Sequence, residues 1–503
     1  MVPSAVPVPS LLGARAAADP GHEALAVAGS GRLTLRDWAE RSDAAARGLL
    51  ERGVRRGDRV ALVFGARDWI EYAVCWMAVL KAGAVAVPLS DRPAPPELVS
   101  MIEHCGATLT VHGAGPPPVP GALPADELKS VAGEPKSPAG EPAGRAGPPP
   151  VELDPLDLAQ ILYTSGTTGT PKGVAATHAN LTSPPVHPKR RPFAHSRHLV
   201  HAFPIGTNAG QVMLLHALTA APTVVTLPLF TPARFAALIE ERAAGTVFVV
   251  PAMAIELLNA RVHERHDLSS VLLLGSAAAA LPPPVAARLA EAFPSATVVN
   301  YYTSTEAAPA QTVMVFDPDR PGALGRAAGG STLKIATADG EPVAPGETGE
   351  VWMRAAAHPR AYYGERSDTF RDGWVRMGDL GRLDSDGYLY LVDRESDVVK
   401  SGAFKVSTLQ VEAALHEHPS VADASVFGVP HPVMGMVVAA AVVLREPVTQ
   451  PVTLPQVRAF LGERLAAHEL PTRLLCLDTL PRNASGKVVK RELRRLAEER
   501  PRE

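Results

Sequence analysis

Residues 59–89 read RVALVFGARDWIEYAVCWMAVLKAGAVAVPL and settle the architecture. RVALVF is a continuous apolar run of strand length. The stretch from Asp68 to Ala82 carries apolar residues at helical spacing and stops at Gly83, and AVAVPL is a second buried run. Strand, helix and strand at this spacing form a βαβ unit, which predicts a parallel sheet. Upstream, Thr34 opens another helix with Asp37 as its capping partner and Leu35, Trp38, Ala45 and Leu49 on one face. Downstream, residues 113–150 are dominated by Gly, Pro and Ala with no period, and read as a mobile surface loop. The α/β texture resumes until Arg394. Beyond it, VADASVFGV (421–429), VVAAAVVL (437–444) and an amphipathic helix over 455–468 predict a compact α+β unit. The expected fold is therefore α/β: a large N-terminal domain (1–394) with parallel-rich sheets, and a small α+β domain (395–503).

Composition narrows the function. The chain has 503 residues, too many for one core, and a formal net charge of −3. That balance lacks the basic field of a nucleic-acid binder. No apolar stretch approaches a membrane span. Cys75, Cys105 and Cys476 are scattered without metal-ligand spacing, and the N-terminal stretch lacks a basic leader. The expected setting is the cytoplasm. Residues 183–198 (SPPVHPKRRPFAHSRH) are the one basic, His-rich stretch and read as a solvated loop, with Lys189–Arg191 a place where a carrier protein could touch.

The segment YTSGTTGTPKGV (163–174) carries chemistry. Gly166 and Gly169 allow positive φ, so successive N–H groups can converge on an anion. Hydroxyls of Thr164, Ser165, Thr167 and Thr168 add donors, and Lys172 adds charge. Such a set suits polyphosphate, although no Gly-Lys-Ser/Thr closes it as in a Walker loop.

This loop resembles the signature of the adenylate-forming superfamily, which includes acyl- and aryl-CoA synthetases, peptide-synthetase adenylation domains and beetle luciferases. RRGDRVALVF, AVLKAGAVAVPL, YTSTE, GDLGRLDSDGYLYLVDR, HPSVADASVFGVPH and LPRNASGK match other family segments in the family's order. The resemblance implies activation of an acid as acyl-AMP from ATP and Mg²⁺, with pyrophosphate released and CoA as acceptor. It implies that Tyr302 stacks on adenine with Tyr301 and Asn300 beside it, that Thr305 bonds the α-phosphate, and that Glu306 holds Mg²⁺. Asp379 would accept both ribose hydroxyls, with Arg394 near ribose or phosphate. Lys487 would be the catalytic lysine, working with Thr164, Thr305 and Glu306. Lys400 would serve a second face exposed when the small domain rotates about Ser396.

Departures from the family pattern bear on substrate and acceptor. Thr207 stands where CoA ligases and luciferases usually carry histidine, and the aspartate that greets an α-amino group is missing. Asn208 stands where aryl-acid-activating members often carry asparagine. Thr303 replaces the usual glycine of the Tyr-Gly motif, and with Ser304, Gly275, Ser276 and Ala277 it implies a small pocket for a compact, aromatic or unsaturated acid. The resemblance sets either Ala403 or, with the alignment shifted by one, Gly402 at the glycine of the pantetheine tunnel. These differences leave three acceptors open: CoA, a carrier protein in trans, or a non-CoA acceptor such as an amine, including transfer of activated nitrite to an aryl amine. Oligomeric state is open.

Overall fold

A computed structural model describes residues 5–128, 149, 151–164, 171–184, 190–445, 452–483 and 485–499. The βαβ expectation holds. Strands Arg59–Phe64 and Val85–Ser90 lie parallel in register around the helix Trp69–Lys81. They sit inside a seven-stranded sheet whose next member towards the site is Leu158–Thr164. That strand turns back antiparallel into Lys172–Thr177, with Thr164 opposite Lys172, and Ala361–Tyr362 then pairs with Lys172–Thr177 at the edge. A nine-stranded sheet is parallel through its centre and antiparallel at both edges. The strands Thr246–Val249, Leu273–Ser276 and Thr297–Tyr302 end together on one side. A third, five-stranded antiparallel sheet places Asp379 opposite Arg394.

Between these sheets lies the main core. The helix Leu35–Glu51 begins as expected, Thr34 accepting from the Asp37 N–H at 3.1 Å, and it buries Leu35, Trp38 and Leu49. Trp38, Trp69, Trp76 and Tyr72 are fully buried side chains of this core. A buried indole N–H usually takes a partner: Trp38 finds the Ala73 carbonyl at 2.9 Å and Trp76 finds Gln160 at 3.0 Å, whereas Trp69 has none among the described residues.

The smaller C-terminal domain has a separate core. Val421–His431 and Gly435–Leu444 form a long antiparallel pair, and Val406, Val411, Leu415, Val426, Val438, Val457 and Leu461 pack beneath it. The helix expected over 455–468 is shorter, Leu454–Gly462. Gly462 is a poor helix former, and ending there lets Leu465 and Leu470 fold back onto the core.

Two loop expectations need correction. Within 113–150, Leu123–Pro124 joins the edge of the first sheet beside Leu109–His112, and the turn Ala125–Leu128 buries Leu128 completely. The Leu128 carbonyl lies 1.9 Å from where a Cβ on Gly48 would stand, so that helix position must be glycine. Val119 and Leu128, nine residues apart, anchor this segment, too few to register as a period. Residues 129–148 and 150 lie outside the described residues, as do 185–189, which include Lys189. The end of the basic stretch is docked in part: Phe193 packs on the main core, Ser196 is buried, and His195 meets the Thr246 hydroxyl at 3.1 Å, while Ala194, His195 and Arg197 remain exposed. Among the described residues no helix is long and apolar enough to cross a membrane, and Cys75, Cys105 and Cys476 form no disulfide.

Candidate functional site

The three sheets and the C-terminal domain meet around one cavity of about 580 Å³. The first sheet contributes Thr164 and Lys172 from the two sides of its hairpin. The nine-stranded sheet contributes Asn300, Tyr301 and Tyr302 from the end of a strand, followed by Thr303, Ser304, Thr305 and Glu306 in the turn. Asp379 and Arg394 come from the antiparallel sheet, and Lys487 comes from the C-terminal domain. Residues more than 300 positions apart in sequence thus share one space. Ser165, Gly166, Thr167, Thr168 and Gly169 lie outside the described residues.

Charge is arranged unevenly in this cavity. Asp379 is 6 % exposed; its Oδ2 accepts from the Tyr302 hydroxyl at 2.5 Å, and its Oδ1 lies 3.4 Å from Arg394 Nε. Burial raises its pKa above the usual carboxylate range, against the pull of Arg394. Lys487 lines the cavity and is exposed to the space inside it. Desolvation, then the like charge of Arg394, lower its pKa to about 8, while Asp379 and Glu306 act in the opposite sense. Asn300 Oδ1 is buried without a hydrogen-bond partner, an acceptor left open beside Tyr301 and Tyr302.

Several expected pocket residues are already engaged in holding the backbone. Thr207 caps the helix Asn208–Thr219, accepting from the Gly210 N–H at 3.1 Å and donating to Pro204 O at 2.8 Å. The Thr303 hydroxyl donates to Ala310 O at 2.6 Å, and Ser304 Oγ accepts from the Ala307 N–H at 3.1 Å. Gly275, Ser276 and Ala277 stand back from the cavity, whose wall is Ala278, Ala279 and Ala280. The reason is local. Gly275 lies against Phe248, Ser276 is fully buried in the sheet, and only the turn after the strand reaches the cavity. Lys400 is exposed on Val399–Ser401 and does not line the cavity. In the adjoining hairpin Gly402 takes φ +59° and Ala403 does not, so the turn itself requires the glycine at 402.

Two residues of the site carried no motif. Tyr362, on the two-residue edge strand, donates to Glu306 Oε1 at 3.2 Å, and Lys172 Nζ sits 4.7 Å above its ring. Arg360, two residues earlier, is 6 % exposed and donates to Asn180 Oδ1, Asn208 Oδ1 and Thr305 O.

Comparison with known proteins matches this arrangement. Residues 12–363 match the AMP-binding enzyme family, and residues 410–487 match the AMP-binding enzyme C-terminal domain. The chain belongs to the AMP-binding enzyme family. As a member it is an adenylate-forming, acid–CoA ligase-like enzyme. It is 33 % identical over 476 residues to a feruloyl-CoA synthase of Amycolatopsis sp., covering 93 % of this chain and 94 % of the relative. An oxalate–CoA ligase of Arabidopsis thaliana is 31 % identical over 500 residues, with 94 % and 95 % covered. The crystal structure of ATP-bound MatB from Rhodopseudomonas palustris superposes with a TM-score of 0.81 at 26 % identity, over 98 % of this chain and 99 % of that one.

Proposed function

We propose that this AMP-binding enzyme activates a compact carboxylic acid with ATP and Mg²⁺, releasing pyrophosphate, and passes the acyl group from acyl-AMP to CoA. The observation that carries the reading is the meeting of Lys487 with Thr164, Lys172, Glu306 and Asp379 in one cavity. In the adenylation step a carboxylate approaches a phosphate, and two anions must be held together while charge builds on the oxygens between them. Lys487 supplies the positive charge there, and Lys172 and the Thr164 hydroxyl hold the leaving phosphates. Tyr302 offers a face for adenine, and the open Asn300 Oδ1 is placed to accept from its amino group. Asp379 takes the ribose.

Mg²⁺ fits the donors present. Among the described residues no cluster of three or more His, Cys, Asp or Glu could hold a metal alone. Glu306 is the carboxylate that the turn after Tyr302 brings to the cavity, and a single carboxylate from that turn suits a cation that arrives with its phosphates and keeps waters. Bound there, it would neutralise charge on the phosphate oxygens.

The acid pocket supports a compact substrate. Tyr301 lines it, and behind Tyr301 the Phe248 ring stands at 5.7 Å, backed by Phe193 at a further 5.7 Å. This aromatic plug stops a long chain and offers ring faces to an aromatic or unsaturated acid. Tyr301→Ala is expected to raise kcat/KM for acids longer by three methylenes by about tenfold or more, at about 0.8 kcal/mol per methylene buried. A series of straight-chain acids of increasing length measures it.

We also propose that the domains divide near Arg394 and that the segment through Ser396 is the hinge, after whose rotation Lys400 faces the site. The supporting observations are the separate C-terminal core and the distance of Lys400 from the cavity in this arrangement. The decisive assay is pyrophosphate release with ferulate, benzoate, oxalate and nitrite, each with and without CoA. Acyl-CoA formed from a carboxylate is the expected product. Pyrophosphate release that supports no thioester would replace CoA with another acceptor.

A further inference from the structure

Arg360 is a charged side chain almost wholly removed from solvent, and its surroundings are unusual for one. All three of its acceptors among the described residues are neutral: Asn180 Oδ1 at 2.8 Å from Nε, and Asn208 Oδ1 at 3.2 Å and Thr305 O at 2.9 Å from Nη1. Burial lowers its pKa to about 10, with Glu306 pulling the other way, so it stays charged at neutral pH. Carrying a cation into such a place is costly unless its hydrogen bonds do something that a neutral side chain could not.

The acceptors show what that is. A guanidinium only donates, so the atom that each asparagine turns towards Arg360 must be its oxygen. Asn180 is then fully used, its Nδ2 donating to Ala308 O at 3.0 Å and His358 O at 2.9 Å, and it serves as the fixed anchor. Asn208 is different. With its oxygen held by Arg360, its Nδ2 has no partner among the described residues, and the residue lines the cavity at the start of a helix. The third bond falls on the carbonyl immediately before Glu306, in the turn that also carries Thr305.

We propose that Arg360 is a positioning residue: it locks the Asn208 carboxamide so that its N–H₂ faces a carboxylate oxygen of the bound acid, and ties that setting to the Thr305–Glu306 turn that receives the nucleotide. The inference rests on the adenylation reading and deepens it. One buried cation registers the two reactants against each other, which in-line attack of a carboxylate on phosphorus requires. An Asn208 free to flip would present its oxygen half the time and repel the acid.

The test uses the full chain, pyrophosphate release, and whichever of ferulate, benzoate and oxalate the wild type turns over fastest. Asn208→Asp keeps an acceptor for Arg360 and puts a negatively charged oxygen where the N–H₂ stood. Its melting temperature is expected to be no lower than wild type, while KM for the acid rises tenfold or more. Arg360→Met is expected to raise KM for both acid and ATP about tenfold, and adding Asn208→Ala to it should raise the acid KM no further, because Arg360 acts through Asn208. Arg360→Lys, which keeps the charge but cannot span three acceptors, is expected to show the same joint rise in smaller measure and stands in should the methionine variant not fold. Asn208→Asp with an acid KM within twofold of wild type, or Arg360 and Asn208 effects that multiply, would overturn the proposal. A wild type that releases no pyrophosphate with any acid would instead remove the adenylation reading beneath it.

Discussion

Lys487→Ala is expected to lower the rate of acyl-AMP formation two to three decades, a loss of about 3–4 kcal/mol of barrier stabilisation. The lysine reaches the cavity from the C-terminal domain, where the charges of Arg394, Asp379 and Glu306 all act on it. In the proposed role it acts on the first half-reaction, so the variant should still convert synthetic acyl-AMP and CoA to acyl-CoA at a rate near wild type. Its pH dependence gives an independent reading. Lys487 must be protonated to stabilise anionic oxygens, and its pKa is lowered to about 8. The group is therefore charged below about pH 8 and neutral above it. The kcat/KM profile, which reports the free enzyme, should be flat to about pH 7 and fall through an alkaline limb near 8. Lys487→Arg should erase that limb, since guanidinium stays charged. A wild-type profile flat to pH 9.5, or a limb that persists in the arginine variant, would remove Lys487 from this role.

What could be read in the sequence was what lies contiguous in it. The βαβ unit declares itself through two apolar runs and a glycine-ended helix, and Thr34 through its capping chemistry, because both are local physics. The hairpin that sets Thr164 opposite Lys172 and the turn holding Thr305 and Glu306 are likewise single stretches of chain. Facing was harder. Leu273–Ser276 is a short apolar run buried on both sides, so alternation could not tell that Ser276 points into the sheet and that the alanines after it form the wall. Arg360 and Tyr362 were illegible for another reason. Tyr362 belongs to, and Arg360 immediately precedes, a two-residue edge strand whose place beside Lys172–Thr177 depends on a pairing almost 190 residues distant. The only local signal was an arginine between Pro359 and Ala361, which by itself reads as surface. Thr207 and Thr303 show the opposite error, since a hydroxyl near a site is as readily spent on a helix cap or a loop carbonyl as on a ligand.

Asp379→Ala should raise KM for ATP about a hundredfold while leaving KM for the acid within a few-fold. A carboxylate accepting from two ribose hydroxyls makes two charge-assisted bonds, each contributing about 1.5–3 kcal/mol, and their joint loss is at least about 3 kcal/mol. Competing costs decide how cleanly this appears. In the arrangement described, Asp379 is already occupied by Tyr302 and Arg394, so nucleotide binding must displace or share the Tyr302 hydroxyl. That exchange trades a neutral donor for another and costs little, while Arg394, about half exposed, can turn to water when its partner is removed. The fold should therefore tolerate the substitution. A cycle with altered nucleotides separates ribose recognition from a general loosening of the cavity. In the wild type, 2′-deoxy-ATP and 3′-deoxy-ATP should each bind about tenfold more weakly than ATP, because each leaves one carboxylate oxygen without its donor. In Asp379→Ala the three nucleotides should bind alike, since the acceptor that told them apart is gone. If the variant still discriminates against the deoxy forms by tenfold, the ribose is held elsewhere, and the carboxylate's place beside Tyr302 and Arg394 is architectural.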